Sequence, residues 1–192
     1  VKINFNNLEI SIVGLGYIGL PLALEFAKYR KVLAYDNNLT RINELKKGLD
    51  ESKELTKKEI LKSKKIYFTN NLKDLEKLNC FIICVPTPVT TNHKPDIKNI
   101  RLVTKEIGKI INKNSLVIYE STFYPGLTEE VCVPILEKFS KLKYNKDFFC
   151  GYCPERINPG DKIRKINNIK KLVSASNKNS LNLIYDLYNQ IN

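Results

Sequence analysis

The sequence predicts an α/β chain built on a doubly wound, mostly parallel sheet. Three observations carry that expectation. Short uncharged runs alternate with amphipathic segments along the chain, the connections between them are short, and polar loops rich in proline, glycine and threonine follow several of the apolar runs. At 192 residues the chain is long enough to bury a full core and is read as one domain, 1–192.

The elements follow in order. Leu8 to Val13 is an apolar run that ends at the turn Gly14-Leu15-Gly16-Tyr17-Ile18-Gly19. Ile18, Leu22 and Phe26 then recur four apart, which predicts a helix with one buried face; Ala23 and Ala27 give it a thin side for close packing. Pro21 falls in the first turn, where its missing N–H would have had no intrahelical partner. Val32–Tyr35 is the second strand, Thr40 to Gly48 a short helix closed by glycine, and Lys53 to Lys62 a solvated helix face with acids among its lysines. Ile66–Thr69 is a third strand and Asn71 to Lys77 a short helix. Cys80–Val85 has the length and lack of charge of a strand buried on both faces, and Pro86 and Pro88 stop it. A helix from Ile97 to Ile111 leads to the strand Leu116–Tyr119, and one from Leu127 to Phe139 leads to Phe148–Tyr152. A final strand, Lys171–Ser174, precedes a helix from about Ser180.

Charge and composition narrow the partners. The formal net charge of +12 suits phosphate-rich ligands. The lysines are dispersed among acids and no basic stripe carries interleaved aromatics, so nucleic acid is not expected. No apolar run reaches the roughly 18 residues needed to span a bilayer and no leader opens the chain, so the expectation is a cytoplasmic protein without membrane contact. The five cysteines are expected as reduced thiols. The lack of any methionine points to a trimmed or excerpted chain.

The glycine turn carries the chemistry. Gly14 allows the tight turn, Gly16 lets the backbone approach a pyrophosphate, and Gly19 lets the helix pack on the strand; Tyr17 and Ile18 fill the spaces between. The helix N-terminus faces the phosphates with unpaired N–H groups and the positive end of its dipole. Asp36, at the end of the second strand, is placed to accept hydrogen bonds from ribose hydroxyls, which favours NAD over NADP. Arg41 has three open roles: stacking on adenine, pairing with Glu44 or Asp36, or softening the preference against a 2′-phosphate.

Ligands of such sheets sit beyond the carboxyl ends of the strands, and three loops there have polar tips. They are Pro86-Thr87-Pro88, Glu120-Ser121-Thr122 and the segment from Cys153 to Asp161. Cys150 and Cys153 form a Cys-Gly-Tyr-Cys pair, but His93 is the single histidine and there is no second ligand pair, so no metal is expected. Cys80 and Cys84, in the buried strand, are read as apolar filler.

Four blocks together resemble one family: Gly14 through Ala23, Cys84-Val85-Pro86-Thr87-Pro88, Tyr119-Glu120-Ser121-Thr122-Phe123-Tyr124-Pro125-Gly126, and Pro154-Glu155-Arg156-Ile157-Asn158-Pro159-Gly160-Asp161. They are similar to the nucleotide-sugar 6-dehydrogenases of the UDP-glucose and GDP-mannose dehydrogenase superfamily, and the last block resembles the branch acting on UDP-N-acetylhexosamines. The resemblance implies a Rossmann-type NAD-binding domain. It also implies an enzyme that oxidises the C6 alcohol of a UDP-sugar to a carboxylate in two hydride transfers, with two NAD, for surface-polysaccharide precursors. By the same resemblance Val85, Pro86 and Thr87 line the cofactor, and Thr122 positions a water or the nicotinamide side. Glu155 handles protons during hydrolysis of a covalent thioester, and Glu155, Arg156, Ile157 and Asn158 contact the sugar.

The family's nucleophilic cysteine, with its lysine and asparagine partners, belongs to a second, nucleotide-sugar domain reached through a long central helix, and nothing in this chain resembles it. Cys153 and Arg164 also stand where family members often carry serine and histidine. The expectation is therefore the NAD-binding half of a homodimeric enzyme, inactive by itself. The alternatives are a stand-alone nucleotide-binding or regulatory module, or a fragment of another hydroxyacid-type dehydrogenase.

Overall fold

The computed structural model describes residues 3–156, 166 and 168–191. Seven strands form one sheet: β1 (Ile10–Val13), β2 (Val32–Tyr35), β3 (Ile66–Thr69), β4 (Cys80–Ile83), β5 (Ser115–Tyr119), β6 (Phe148–Tyr152) and β7 (Ser174–Ala175). Their order is β3-β2-β1-β4-β5-β6-β7, and the first six are parallel. The order reverses between β1 and β4, which opens a crevice at their carboxyl ends.

The helices are α1 (Gly19–Ala27), α2 (Leu39–Lys46), α3 (Lys57–Lys62), α4 (Lys98–Ile110), α5 (Val133–Ser140) and α6 (Lys178–Asn189). They cover both faces, and the strands show it in their period of two. Ile82 and Ile118 belong to one core with Leu22 and Phe26 of α1 and Ile184 and Leu187 of α6. Phe81, Ile83, Val117 and Tyr119 point the other way, into a second core with Ile100 and Ile107 of α4 and Leu136 of α5. β4 and β5 are buried along their whole length, as uncharged runs in a two-sided sheet must be. Each fully buried Leu, Ile or Phe contributes about 1.5–3 kcal/mol relative to exposure.

The helix expected over Lys53 to Lys62 begins only at Lys57, the one expected over Asn71 to Lys77 is a 3-10 turn at Leu72–Leu75, and two further elements differ in direction or type. The last strand is shorter than Lys171–Ser174 and runs antiparallel to β6, pairing Gly151 with Ala175 and Tyr152 with Ser174. A parallel neighbour needs a crossover helix, and the sequence from Pro154 to Lys170 has no helical apolar period to supply one. The helix expected from Leu127 to Phe139 comes in two parts, a π-helical turn over Thr128–Cys132 and then α5. Pro134 at the start of α5 has no N–H to give the carbonyl four residues back, so the turn before it widens.

Candidate functional site

The crevice is built from backbone first. Gly14 takes φ +95°, and its N–H donates to the Tyr35 carbonyl at 2.9 Å, extending the β1–β2 ladder into the turn. A Cβ at Gly19 would sit 1.8 Å from the Gly14 carbonyl oxygen, whereas a Cβ at Gly16 would meet nothing within 4 Å. Gly19 is thus required for the fold, and Gly16 for whatever approaches the open side of the turn. No side chain caps α1 at its N-terminus.

Two adjoining hollows lie along this edge. One, of about 290 Å³, is lined by Gly16, Tyr17 and Ile18, by the loop after β4 through Thr87, and by Glu120, Ser121, Thr122 and Glu155. The other, of about 480 Å³, is lined by Gly14, Gly16, Asp36, Asn38, Leu102 and Glu106 among others. They share Gly16, Cys84, Val85 and Pro86, so the cleft runs continuously across the point where the strand order reverses. A separate groove of about 420 Å³ between α4 and α5 contains none of the carboxyl-end loops.

The loops are cross-braced. Ser121 Oγ donates to the Val85 carbonyl at 2.8 Å, and Thr87 Oγ1 to the Thr122 carbonyl at 3.0 Å. The Cys153 N–H donates to the Tyr119 carbonyl at 2.9 Å, and the Phe123 ring stacks on Tyr152 with centroids 5.4 Å apart. Tyr17 feels Glu155: burial first, then the Glu155 and Glu54 carboxylates, raise its pKa above the ordinary value.

The structure brings Gly14, Gly16, Tyr17, Ile18, Asp36, Val85, Pro86, Thr87, Thr122 and Glu155 to one cleft. Arg41 differs. It is 4% exposed and lines neither hollow. It pairs with Asp50 at 2.7 Å rather than with Glu44 or Asp36, and donates to the Leu15 carbonyl from Nε and Nη2 at 3.0 and 2.8 Å. A guanidinium one helical turn into α2 reaches the back of the glycine turn, so it braces that turn from beneath. Arg156 is exposed and lines neither hollow; its Nη1 donates to the Lys170 carbonyl at 2.8 Å. Ile157, Asn158 and Arg164 lie outside the described residues.

Sequence reasoning gave no role to the Glu120 side chain. It is 2% exposed, pairs with Lys171, and accepts from the Tyr188 hydroxyl at 2.7 Å. Burial pulls the Lys171 ammonium down to about 8. The signal available was an acid closing an otherwise apolar strand; its partners are 51 and 68 residues away. Among the described residues no group of three His, Cys, Asp or Glu could hold a metal ion, and no helix is long and apolar enough to cross a membrane.

The cleft fits an NAD molecule on three counts: open space in front of Gly16, an acid at the end of β2, and a continuous path across the switch point. Comparison with known proteins agrees. The chain is 49% identical over 185 residues to a UDP-N-acetyl-D-glucosamine 6-dehydrogenase of Pseudomonas aeruginosa, covering 96% of this chain and 44% of that protein. It is 31% identical to a UDP-N-acetyl-D-mannosamine dehydrogenase of Pyrococcus horikoshii over 94% of this chain and 44% of that one. The solved structure of UDP-D-ManNAc dehydrogenase from Pyrococcus horikoshii superposes with a TM-score of 0.87 at 31% identity, over 96% of this chain and 45% of the other. A ternary complex of GDP-mannose dehydrogenase from Pseudomonas aeruginosa gives 0.86 at 25% identity, again over 96% and 45%. The chain spans less than half the length of these relatives. The sequence model of the UDP-glucose/GDP-mannose dehydrogenase family, NAD binding domain, matches residues 8–192, and the chain belongs to that family as its NAD binding domain.

Proposed function

We propose that the chain is the cofactor-binding part of an NAD-dependent UDP-sugar 6-dehydrogenase that oxidises the C6 alcohol of a UDP-N-acetylhexosamine to a carboxylate. The observation that carries this is one cleft with the glycine turn and Asp36 along one stretch and Thr122 and Glu155 along the next. The names of the relatives support the sugar class.

In this reading the glycine turn and the start of α1 hold the pyrophosphate, and Asp36 accepts from the adenosine ribose. Val85 and Pro86 line the cofactor where the two hollows meet, and Thr87 lines it in the smaller hollow. NAD supplies the hydride acceptor when bound. Thr122 orients a hydroxyl or water at the nicotinamide end, and Glu155, in the same hollow, takes a proton from water. The sugar contacts are assigned to Arg156, Ile157 and Asn158 in this reading, by resemblance to the family's motif. The thiol, the central helix and the nucleotide-sugar domain come from the remainder of a longer protein, a cytoplasmic homodimer, and residues 1–192 alone bind NAD without turnover.

The test is the product of the whole gene, assayed for NADH formation with UDP-N-acetylglucosamine, UDP-N-acetylmannosamine and UDP-glucose. Turnover with an N-acetylhexosamine nucleotide supports the reading. Absence of any downstream coding sequence, with NAD bound and no oxidation, favours a stand-alone nucleotide-binding module.

A further inference from the structure

Glu120 stands between the sheet and the cleft. Its N–H donates to the Ile83 carbonyl at 2.8 Å, continuing the β4–β5 ladder, and the next two residues make the braces to Val85 and Thr87. Its carboxylate faces inward with both oxygens engaged: Oε1 by the Lys171 ammonium, Oε2 by the Tyr188 hydroxyl. The paired side chains are 1% and 0% exposed, and the ammonium also lies 5.7 Å from the Tyr188 ring centroid. A pair this deep is costly to desolvate, and apolar residues of the same volume often stabilise as well or better. Stability is therefore a poor reason for an ion pair at this position.

The partners suggest a better one. Lys171 follows Lys170, whose carbonyl accepts from Arg156 Nη1 at 2.8 Å, and the Arg156 N–H in turn donates to Glu155 Oε1 at 2.7 Å. One line of contacts thus runs from Thr87 and Thr122 through Glu120, Lys171 and Lys170 to Arg156 and Glu155. Both its ends line the same 290 Å³ hollow. Tyr188 ties the midpoint to α6, the last helix of the chain.

We infer that Glu120 is a positioning residue, which through Lys171 and Tyr188 holds the Thr122 wall and the Glu155 wall of the nicotinamide hollow at a fixed separation. This rests on the proposed NAD site, and it concerns the nicotinamide end alone. The adenine hollow, lined by Asp36 and Asn38, meets this network only at Val85, which both hollows share.

The experiment is calorimetric titration of the chain and its variants with NAD and, separately, with ADP, which fills only the adenine and pyrophosphate positions. Glu120→Gln/Lys171→Met removes both charges and strands neither. It is expected to weaken NAD about tenfold while ADP affinity stays within about twofold of the parent. Tyr188→Phe keeps the ion pair and frees Oε2; it is expected to show the same separation in smaller degree, and it serves if the double variant does not fold. Lys171→Arg is expected to restore most of the NAD affinity lost in Lys171→Met. A folded variant in which both ligands weaken together, or neither changes, overturns the positioning role. Failure of the parent chain to bind NAD at all sinks the underlying site assignment instead.

Discussion

Asp36 accepts the Leu15 N–H through Oδ2 at 2.8 Å, so the acid that ends β2 is fastened to the middle of the glycine turn that follows β1. Its Oδ1 accepts from the Asn38 N–H at 2.9 Å, at the start of α2. A carboxylate oxygen has two lone pairs, so each retains acceptor capacity for the ribose hydroxyl of the proposed NAD site. Asp36→Ala is expected to weaken NAD by about 1–3 kcal/mol, the loss of a charged hydrogen-bond partner. Asp36→Asn removes the charge and leaves one acceptor oxygen for two N–H donors, so it is expected to weaken NAD and also to loosen either the Leu15 or the Asn38 contact. NADP binding tighter than NAD by the parent chain would overturn the ribose assignment.

Gly16 and Gly19 are expected to part company on substitution. Gly16→Ala adds a methyl group into open space, so its thermal midpoint should match the parent, while NAD affinity is expected to fall because the proposed site puts the pyrophosphate in that space. Gly19→Ala drives a Cβ to 1.8 Å from backbone and is expected to cost more than about 3 kcal/mol of stability, beyond ordinary overpacking. Thermal unfolding and NAD titration of both variants decide it; normal NAD affinity in Gly16→Ala would remove the turn from the site.

The division between what the sequence told and what it hid follows from the range of the interactions. The β1 and β4 runs, the glycine turn and the loops after β4 and β5 are local patterns, and their meeting in one cleft follows from strand order alone. Asp36 was legible by position, but its hold on Leu15 was not. Arg41 was misjudged because its partner Asp50 lies past the end of α2, in a loop that the apolar period does not register. Glu120 and Lys171 each look like an ordinary exposed charge until the fold brings β5 against the segment before β7. The direction of β7 depended on a missing crossover, a feature easy to overlook in a chain that otherwise alternates.

The Arg41–Asp50 bridge should show in stability and in acid sensitivity. The side chains are 4% and 0% exposed. Burial raises the Asp50 pKa, but hydrogen bonds from Ser52, Arg41 and the Leu55 N–H, with the Arg41 charge, outweigh it and hold the carboxyl below its ordinary value. A depressed folded-state pKa gives stability that is whole above the unfolded value of about 3.9 and is lost as pH falls through the folded one. Asp50→Asn is therefore expected to be less stable than the parent at neutral pH and to lose less on acidification below about pH 4. Arg41→Ala strands a buried carboxylate and should cost about 3–5 kcal/mol in urea unfolding. Arg41→Lys should recover little, since an ammonium lacks the planar fork that reaches Leu15 and Asp50 together. A neutral Arg41→Ala would refute the brace.

Thiol chemistry tests where the nucleophile of the proposed reaction lies. All five cysteines are buried. Burial is the largest cause of a raised pKa in each: Cys80 is pushed up to about 12, Cys132 to about 11 and Cys153 to about 12, and Cys84 and Cys150 are raised as well. A thiol titrating about four units above neutral pH is thiolate in roughly one molecule in 10⁴, too little for a nucleophile. Cys84 is the instructive one, since it lines both hollows and would be the natural candidate by position. Its neighbour Lys171 lowers its pKa without overcoming burial, and the Glu155 carboxylate acts the other way. An aromatic disulfide reagent at neutral pH is expected to find no promptly reactive thiol in the folded chain and five after denaturation. Prompt modification of Cys84, blocked by NAD, would put a reactive thiol inside the cofactor cleft and undo the argument that the covalent step needs a cysteine from the rest of the protein.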